Sequence, residues 1–410
     1  MSLYGILSCS ATAMLVQSHA LERIGSNVSN IQTVGYKAND TLFKTQLYHY
    51  ISEDKEYYTA GAIDRRYVSL QGSLTSTSSS SDLAINGDGF FLVRERFGTP
   101  DTTMLTRAGN FGTSNIDPNG KTVDPNKAFL VTAAGDYVLG WQYDMTTNSY
   151  AETISPLDVT PVQQVDGTMS TTVGVDANIP ASGSSATNIG LNVYDAGYNS
   201  HTVTMNLVKA SDANEWTLSF SLEDGVTTTA PVNIFFNGDG DILPEYATQS
   251  LDITWADGTS QTLTIDLSEL TQLGDEQAIK EISTDGKPIG TLRTTSWSED
   301  GVLNAIYTNN KTYPVAKLAI GTVTVPDSLQ AISNNLFGLT QNSGPLKILD
   351  LTEPEVGMYT SILSNTLEAS NVVLEQEFTK MITTQRAYSS ASTVFTTGNE
   401  MFQTATNILS

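Results

Sequence analysis

Two stretches of the chain repeat apolar residues at a seven-residue interval. Leu7, Met14, Leu21 and Val28 do so near one end, joined by Leu3, Ile24 and Ile31. Leu367, Leu374, Met381, Tyr388, Phe395, Phe402 and Leu409 do so near the other. Such a repeat lays a narrow apolar stripe along a helix and directs it toward another helix. The pattern predicts one helix over residues 3–30 and a longer one from about Asn371 onward. At 1.5 Å per residue the longer helix would reach roughly 55–60 Å. Asn27-Val-Ser-Asn30 weakens the end of the first helix, because Asn and Ser compete for backbone hydrogen bonds. Gly35 then supplies a left-handed position where the chain must turn. Ser370 or Asn371 can cap the second helix, with Glu375 and Glu377 near its positive end.

Between these ends the period changes. Residues 38–66 read as a partly extended connector carrying Phe43, Tyr48, Tyr50, Tyr57 and Tyr58. Ser73 to Asp82 is a Ser/Thr-rich loop or extended strand. Leu83 to Val93 holds Asn86-Gly87 and Asp88-Gly89 between apolar flanks, which predicts a hairpin. Leu105 to Phe111, Phe129 to Thr132 and Tyr137 to Trp141 continue the strands, with a turn at Asn119-Gly120. Pro156 and Pro161 mark a boundary, and Ala181 to Thr187 reads as a loop. Beyond it Trp216–Leu222, Leu251–Trp255 and Leu263–Leu267 alternate apolar and polar residues, each a strand with one wet face. Gly290–Ile306 and Val315–Val325 return to strand character, and Pro326 opens a short helical turn.

Composition sharpens this. Net charge is −24, from 20 basic and 44 acidic residues. A nucleic-acid binder needs a basic face, and so does a protein held on an anionic membrane. The acid is unevenly placed: residues 1–40 sum to zero, residues 367–410 to −2, and the middle carries −22. Near-neutral ends suit packed helices, and an acidic body suits solvent. Cys9 is the one cysteine, so no intramolecular disulfide framework is expected. No run of 18 consecutive apolar residues predicts a membrane span. The first basic residue is Arg23, so a charged signal-peptide n-region is missing.

Candidate chemistry is sparse. His19, His49 and His201 lack metal-ligand spacing. Asn119-Gly-Lys-Thr122 has Asn115 where a phosphate loop needs Gly. Asn237 to Asp241 has Ile242 and Thr248 where a calcium loop needs Gly and Glu, so it reads as a tight turn. Carboxylate pairs such as Glu152 with Asp158 are too common to be diagnostic. The four tryptophans sit in strand-like runs and read as β core. No catalytic, cofactor-binding or metal residue is assigned. The apolar stripes have two readings: core helices of a globular domain, or an assembly surface. Their placement at both ends and their low charge favour assembly.

Five blocks, in order, resemble the axial protein family of the bacterial flagellum, its rod and hook members. They are Asn27-Val-Ser-Asn30-Ile-Gln-Thr33-Val-Gly35-Tyr36-Lys37; Asp82 to Val93; Leu105-Thr-Arg-Ala-Gly-Asn-Phe111; Leu130 to Asp136 with Gly140; and Leu367-Glu-Ala-Ser-Asn371 with Glu377-Phe378 and Gln385-Arg-Ala-Tyr388. The signature has Ile31-Gln32 where Ala-Asn is common in the family.

The resemblance implies a structural, non-enzymatic subunit that polymerises into a curved tube, a universal joint passing torque from rod to filament. A distal rod subunit is the alternative within the family, and a secreted β-rich carbohydrate-binding protein or hydrolase the alternative outside it. The implied partners are further copies of the chain, rod and hook–filament junction proteins, and, during assembly, a hook cap and the type III export apparatus. The implied location is the extracellular hook, reached without a cleaved signal peptide; neither nucleic acid nor membrane insertion is expected.

The expected fold is mixed but mainly β. Long N- and C-terminal helices (residues 1–37 and 367–410) pair as a coiled coil. A connector spans 38–66. A discontinuous antiparallel β domain takes 67–159 and 281–366, and an outer antiparallel β domain is inserted at 160–280. The expected assembly residues are Leu3, Leu7, Met14, Leu21, Ile24, Val28, Ile31, Leu367, Leu374, Phe378, Met381, Tyr388, Phe395, Phe402 and Leu409. One seam per helix is thin cover in water, so the ends are expected to order fully only on assembly.

Overall fold

The computed structural model describes residues 3–50, 55–95, 103–116, 126–182, 186–353 and 359–409. The expected turn at Asn119-Gly120 lies outside them, as do residues 183–185 of the loop after Pro180. The chain divides into two compact units. The first comprises residues 1–160, 295–304 and 314–410, and the second 161–294 and 305–313.

In the first unit, helix α1 (Leu3–Ser29) is followed by two antiparallel strands, β1 (Asn39–Tyr50) and β2 (Lys55–Arg66). The connector is therefore a long two-stranded ribbon. It is not free-standing: α1 lies on it, with His19 and Arg23 both reaching Asp64 at 2.8 and 3.2 Å. An isolated ribbon of two strands is marginal in water, and the helix supplies the missing cover. Helix α2 (Leu374–Leu409) closes the chain.

The hairpin expected over Leu83–Val93 does not form. Leu83–Gly87 pairs with Thr360–Ser364, bringing Ile85 opposite Ile362. Phe90–Arg94 joins a different sheet, against Thr103–Thr106, Tyr137–Asp144 and Ile320–Thr322. Gly87 and Gly89 have φ of +107° and +133°. A Cβ on Gly87 would sit 2.1 Å from the Tyr359 carbonyl oxygen, and one on Gly89 2.5 Å from Ile320 Cγ2. The two glycines hand the chain from one sheet to the next instead of reversing it. The core between these layers holds Leu83, Ile85, Phe91, Val93, Val138, Leu157, Leu318, Ile320 and Ile362.

The second unit packs two sheets over one core. One contains Thr187–Tyr194, Ser200–Lys209, Glu215–Leu222 and Val232–Phe235, all antiparallel. The other contains Gly225–Thr227, Thr248–Trp255, Ser260–Asp266, Thr172–Ile179, Leu270–Gln272 and Ala278–Thr284. Alternate residues point inward and are buried, among them Val173, Val175, Ile189, Leu191, Val203, Met205, Trp216, Leu251, Ile253, Leu263 and Ile265. This is the face segregation that alternation encodes.

The second sheet is not wholly antiparallel as expected. Thr172–Ile179 runs parallel to Ser260–Asp266 and to Leu270–Gln272. The chain between these partners is long and forms strands of its own, so no tight turn dictates their direction. The second unit also continues past residue 280. Gln164–Val165 pairs with Gly290–Thr291, and the Tyr307 hydroxyl donates to the Val162 carbonyl at 2.8 Å. The Asn237 turn is held by its own side chain, whose Oδ1 accepts the Asp239 and Asp241 N–H groups at 2.9 Å each.

Candidate assembly surface

The residues after α1 fold back onto the strand that precedes α2. Gly35 turns the chain with φ +68°, and a Cβ there would lie 2.6–2.8 Å from the backbone of Arg107 and Ala108. Its N–H donates to the Glu368 carbonyl at 2.8 Å. Lys37 follows. Its Nζ donates to Glu368 Oε1 and to the Leu70 carbonyl, each at 2.6 Å. Glu368 Oε1 also accepts the Gly72 N–H at 2.8 Å, while Oε2 accepts from Arg107 Nη1 at 3.3 Å. The Lys37 and Glu368 side chains are each 1% exposed and that of Arg107 3%.

Burial pushes the Lys37 ammonium below its ordinary pKa, and the Glu368 carboxylate opposes the shift. Burial lowers Arg107 in the same way, again against Glu368. A lone charge at such depth is very costly, so the three require one another. Arg107 has further support: it lies 5.2 Å from the Phe90 ring centroid, and its Nη2 donates to the Gly87 carbonyl at 2.9 Å.

A second polar knot joins the two helices. Asn27, 1% exposed, donates to the Asn39 carbonyl at 2.9 Å and to Glu377 Oε2 at 3.0 Å. Its Oδ1 accepts the Asn39 N–H at 3.0 Å and the Tyr36 hydroxyl at 3.2 Å. Lys380 contacts Asp40 and Glu377, both at 3.0 Å. Partial burial works against that ammonium, but the two carboxylates outweigh it and raise its pKa. Asn371 does not cap α2 as expected. It accepts the Ala38 N–H at 2.7 Å and donates to the Tyr67 and Leu70 carbonyls, which ties the connector to the C-terminal segment.

The helices run antiparallel, with Asn27 opposite Glu377 and a Cβ on Gly398 lying 3.3 Å from Leu7 Cδ2. On α1 the buried apolar side chains are Val16, Ala20 and Ile24, whereas Leu7, Met14, Leu21 and Val28 are half-buried, as is Ile31 just beyond the helix. On α2 the deepest positions are Glu377, Thr384 and Gly398, all small or polar. Leu374, Met381 and Phe395 are half-buried, as is Leu367 before the helix. Phe378, Tyr388 and Phe402 stay 47%, 40% and 48% exposed, and Ile382 and Met401 54% each. The side chains of Leu3 and Leu409 lie outside the described residues. Small residues bring the helices together and leave large apolar ones uncovered.

Of the signature residues, Asn27, Gly35, Tyr36 and Lys37 enter these knots directly. Asn30 and Thr33 close the turn between them: Asn30 Nδ2 donates to the Ser26 carbonyl at 2.8 Å, and Thr33 Oγ1 to Asn30 Oδ1 at 3.2 Å. The sequence named no role for Arg107, Glu368 or Lys380, and gave Glu377 only a place near the positive end of α2. For Arg107 and Glu368 the signal was present as single charges embedded in otherwise apolar or small segments.

Two family models match the chain. One, the flagellar basal body rod FlgEFG protein C-terminal model, covers 363–408, which contains most of α2. The other, the flagellar basal body protein FlaE D2 domain model, covers 164–287, the greater part of the second unit. Both describe components of the flagellar axis. Full-length relatives narrow the class. The flagellar hook protein FlgE of Rhizobium meliloti is 31% identical over 425 residues, covering 100% of each chain. That of Brucella abortus is 30% identical over 431 residues, again covering 100% of each. The chain belongs to the flagellar hook protein family.

Proposed function

We propose that this chain is the structural subunit of a bacterial flagellar hook and that copies of it polymerise through the paired terminal helices into a curved tube. The observation carrying the reading is the uncovered apolar surface of α2, where Phe378, Ile382, Met401 and Phe402 face solvent in the single chain. Each fully buried side chain of this size contributes roughly 1.5–3 kcal/mol. A neighbouring helix pair supplies the cover that α1 does not. Leu15 on α1, 71% exposed, offers the same kind of surface.

In the tube the helices pair as a coiled coil and form the inner layer, with the second unit as an inserted outer domain. The assembly residues are the two apolar stripes. The second unit is strongly acidic, and polar faces of this kind exchange contacts for water as neighbours slide. That property suits a joint that bends while it transmits torque. The further partners are rod and junction proteins, and, during export and assembly, a hook cap and the type III apparatus. Among the described residues no helix is long and apolar enough to cross a membrane. Electron microscopy of the concentrated protein tests the reading: curved tubes support it, and a protein that stays monomeric at high concentration opposes it.

A further inference from the structure

Lys37, Glu368 and Arg107 form a buried charge cluster, and such clusters are a poor source of stability. Desolvation cancels most of the attraction, and apolar side chains of similar volume often serve as well. What such a cluster supplies instead is direction, since its hydrogen bonds hold their partners at fixed geometry. Beyond the Asn27–Glu377 bond and the Lys380–Asp40 pair near one end, the helix pair has little direction of its own. Leu374, Met381, Tyr388, Phe395 and Phe402 repeat every seven residues, and the positions deepest in the pair include Ala20, Thr384 and Gly398. Sliding one helix by a heptad, about 10 Å, breaks the Asn27–Glu377 bond but sets small and apolar residues against similar ones along the rest of the pair.

The cluster lies where it removes that freedom. Lys37 sits shortly after α1 ends at Ser29, and Glu368 shortly before α2 begins at Leu374. Holding Lys37 Nζ 2.6 Å from Glu368 Oε1 fixes the two helix origins against each other. Arg107, from the β body, then fixes both to a third point. We infer that Lys37, Glu368 and Arg107 form a register lock, which selects a single alignment of α1 against α2 and so presents one assembly surface. The inference extends the assembly reading above, but it is tested on the dilute subunit, so the two stand or fall separately.

The test is oxidative cross-linking in a Cys9→Ser background. Ile6→Cys with Gly398→Cys reports the observed register, because a Cβ on Gly398 lies 3.6 Å from Ile6 Cγ2. Ile6→Cys with Ala391→Cys reports a heptad slip. With the lock intact, the first pair should cross-link at least tenfold more than the second. Replacing all three charges (Lys37→Met, Glu368→Leu, Arg107→Met) should lower that ratio at least threefold, the Asn27–Glu377 bond holding the remainder, with the second unit unaffected. Because the triple variant could fail to fold, Glu368→Gln serves beside it. It keeps the shape and an acceptor for the Gly72 N–H while removing the charge, and should also raise the slipped product. An unchanged ratio in Glu368→Gln together with an unchanged ratio in, or failure to fold of, the triple variant would overturn the lock.

Discussion

Gly35→Ala offers the sharpest local perturbation. At φ +68° an L side chain costs about 1–2 kcal/mol. The added Cβ would also meet Ala108 N at 2.6 Å and Ala108 Cα at 2.8 Å, and these backbone atoms cannot swing aside as a side chain could. Overpacking of this kind adds about 1–3 kcal/mol. The substitution should therefore destabilise the first unit by about 2–5 kcal/mol, the sum of those two ranges. Gly25→Ala is the control. Gly25 lies inside α1, is exposed and has nothing within 4 Å of where an added methyl would sit. It should stabilise α1 by about 0.5–1 kcal/mol. Native-state hydrogen exchange, resolved by peptide, distinguishes the units. In Gly35→Ala the globally protected amides of the first unit should exchange roughly 30-fold to several-thousand-fold faster. Those of the second unit should keep their rates. Wild-type exchange in the first unit of Gly35→Ala would refute the requirement for glycine at this close approach to Arg107 and Ala108.

Met381→Asp or Phe395→Asp should block polymerisation while circular dichroism reports intact β units; tubes from either variant would show that the seam is not the assembly surface. Removing residues 160–280 should spare the helix pair yet change tube curvature or stiffness in micrographs, and unchanged bending would count against a sliding role for that segment. Asp195 gives a pH prediction. Burial would raise its pKa, but hydrogen bonds from Asn199 and His201 outweigh this and hold it below the usual carboxylate range. Its contribution is complete above the ordinary Asp value near 3.9 and is lost as pH falls through the lower folded value. Asp195→Asn should cost the second unit about 1–2 kcal/mol at neutral pH and flatten its acid limb in urea titrations; an acid limb identical to wild type would exclude this role.

The strands of the second unit are legible in the sequence because alternation is a local property. Trp216, Leu218, Leu251, Ile253, Leu263 and Ile265 are inward-facing and buried, as the period of two requires. Strand partners are less legible. Nothing near Leu83–Gly87 signals that it pairs with Thr360–Ser364, and the Asn-Gly and Asp-Gly dipeptides there suggest a local reversal instead. The helices illustrate a third limit. The seven-residue stripe on α1 marks an apolar side, but α1 is covered by both α2 and the β1–β2 ribbon. Its deepest burial therefore shifts to Val16, Ala20 and Ile24. The polar knots are hidden for a related reason. A search for apolar periodicity passes over Lys37, Arg107 and Glu368, whose burial depends on partners 261 and 331 residues apart in sequence.

Assembly through the helices requires α2 to finish its burial against other copies of the chain. Hydrogen exchange of α2 in dilute subunits and in assembled tubes tests this most directly. Peptides spanning Phe378–Ile382 and Val394–Phe402 should gain at least tenfold protection on assembly, while the inward strands of the second unit change little. Tubes that form with no added protection along α2 would contradict it.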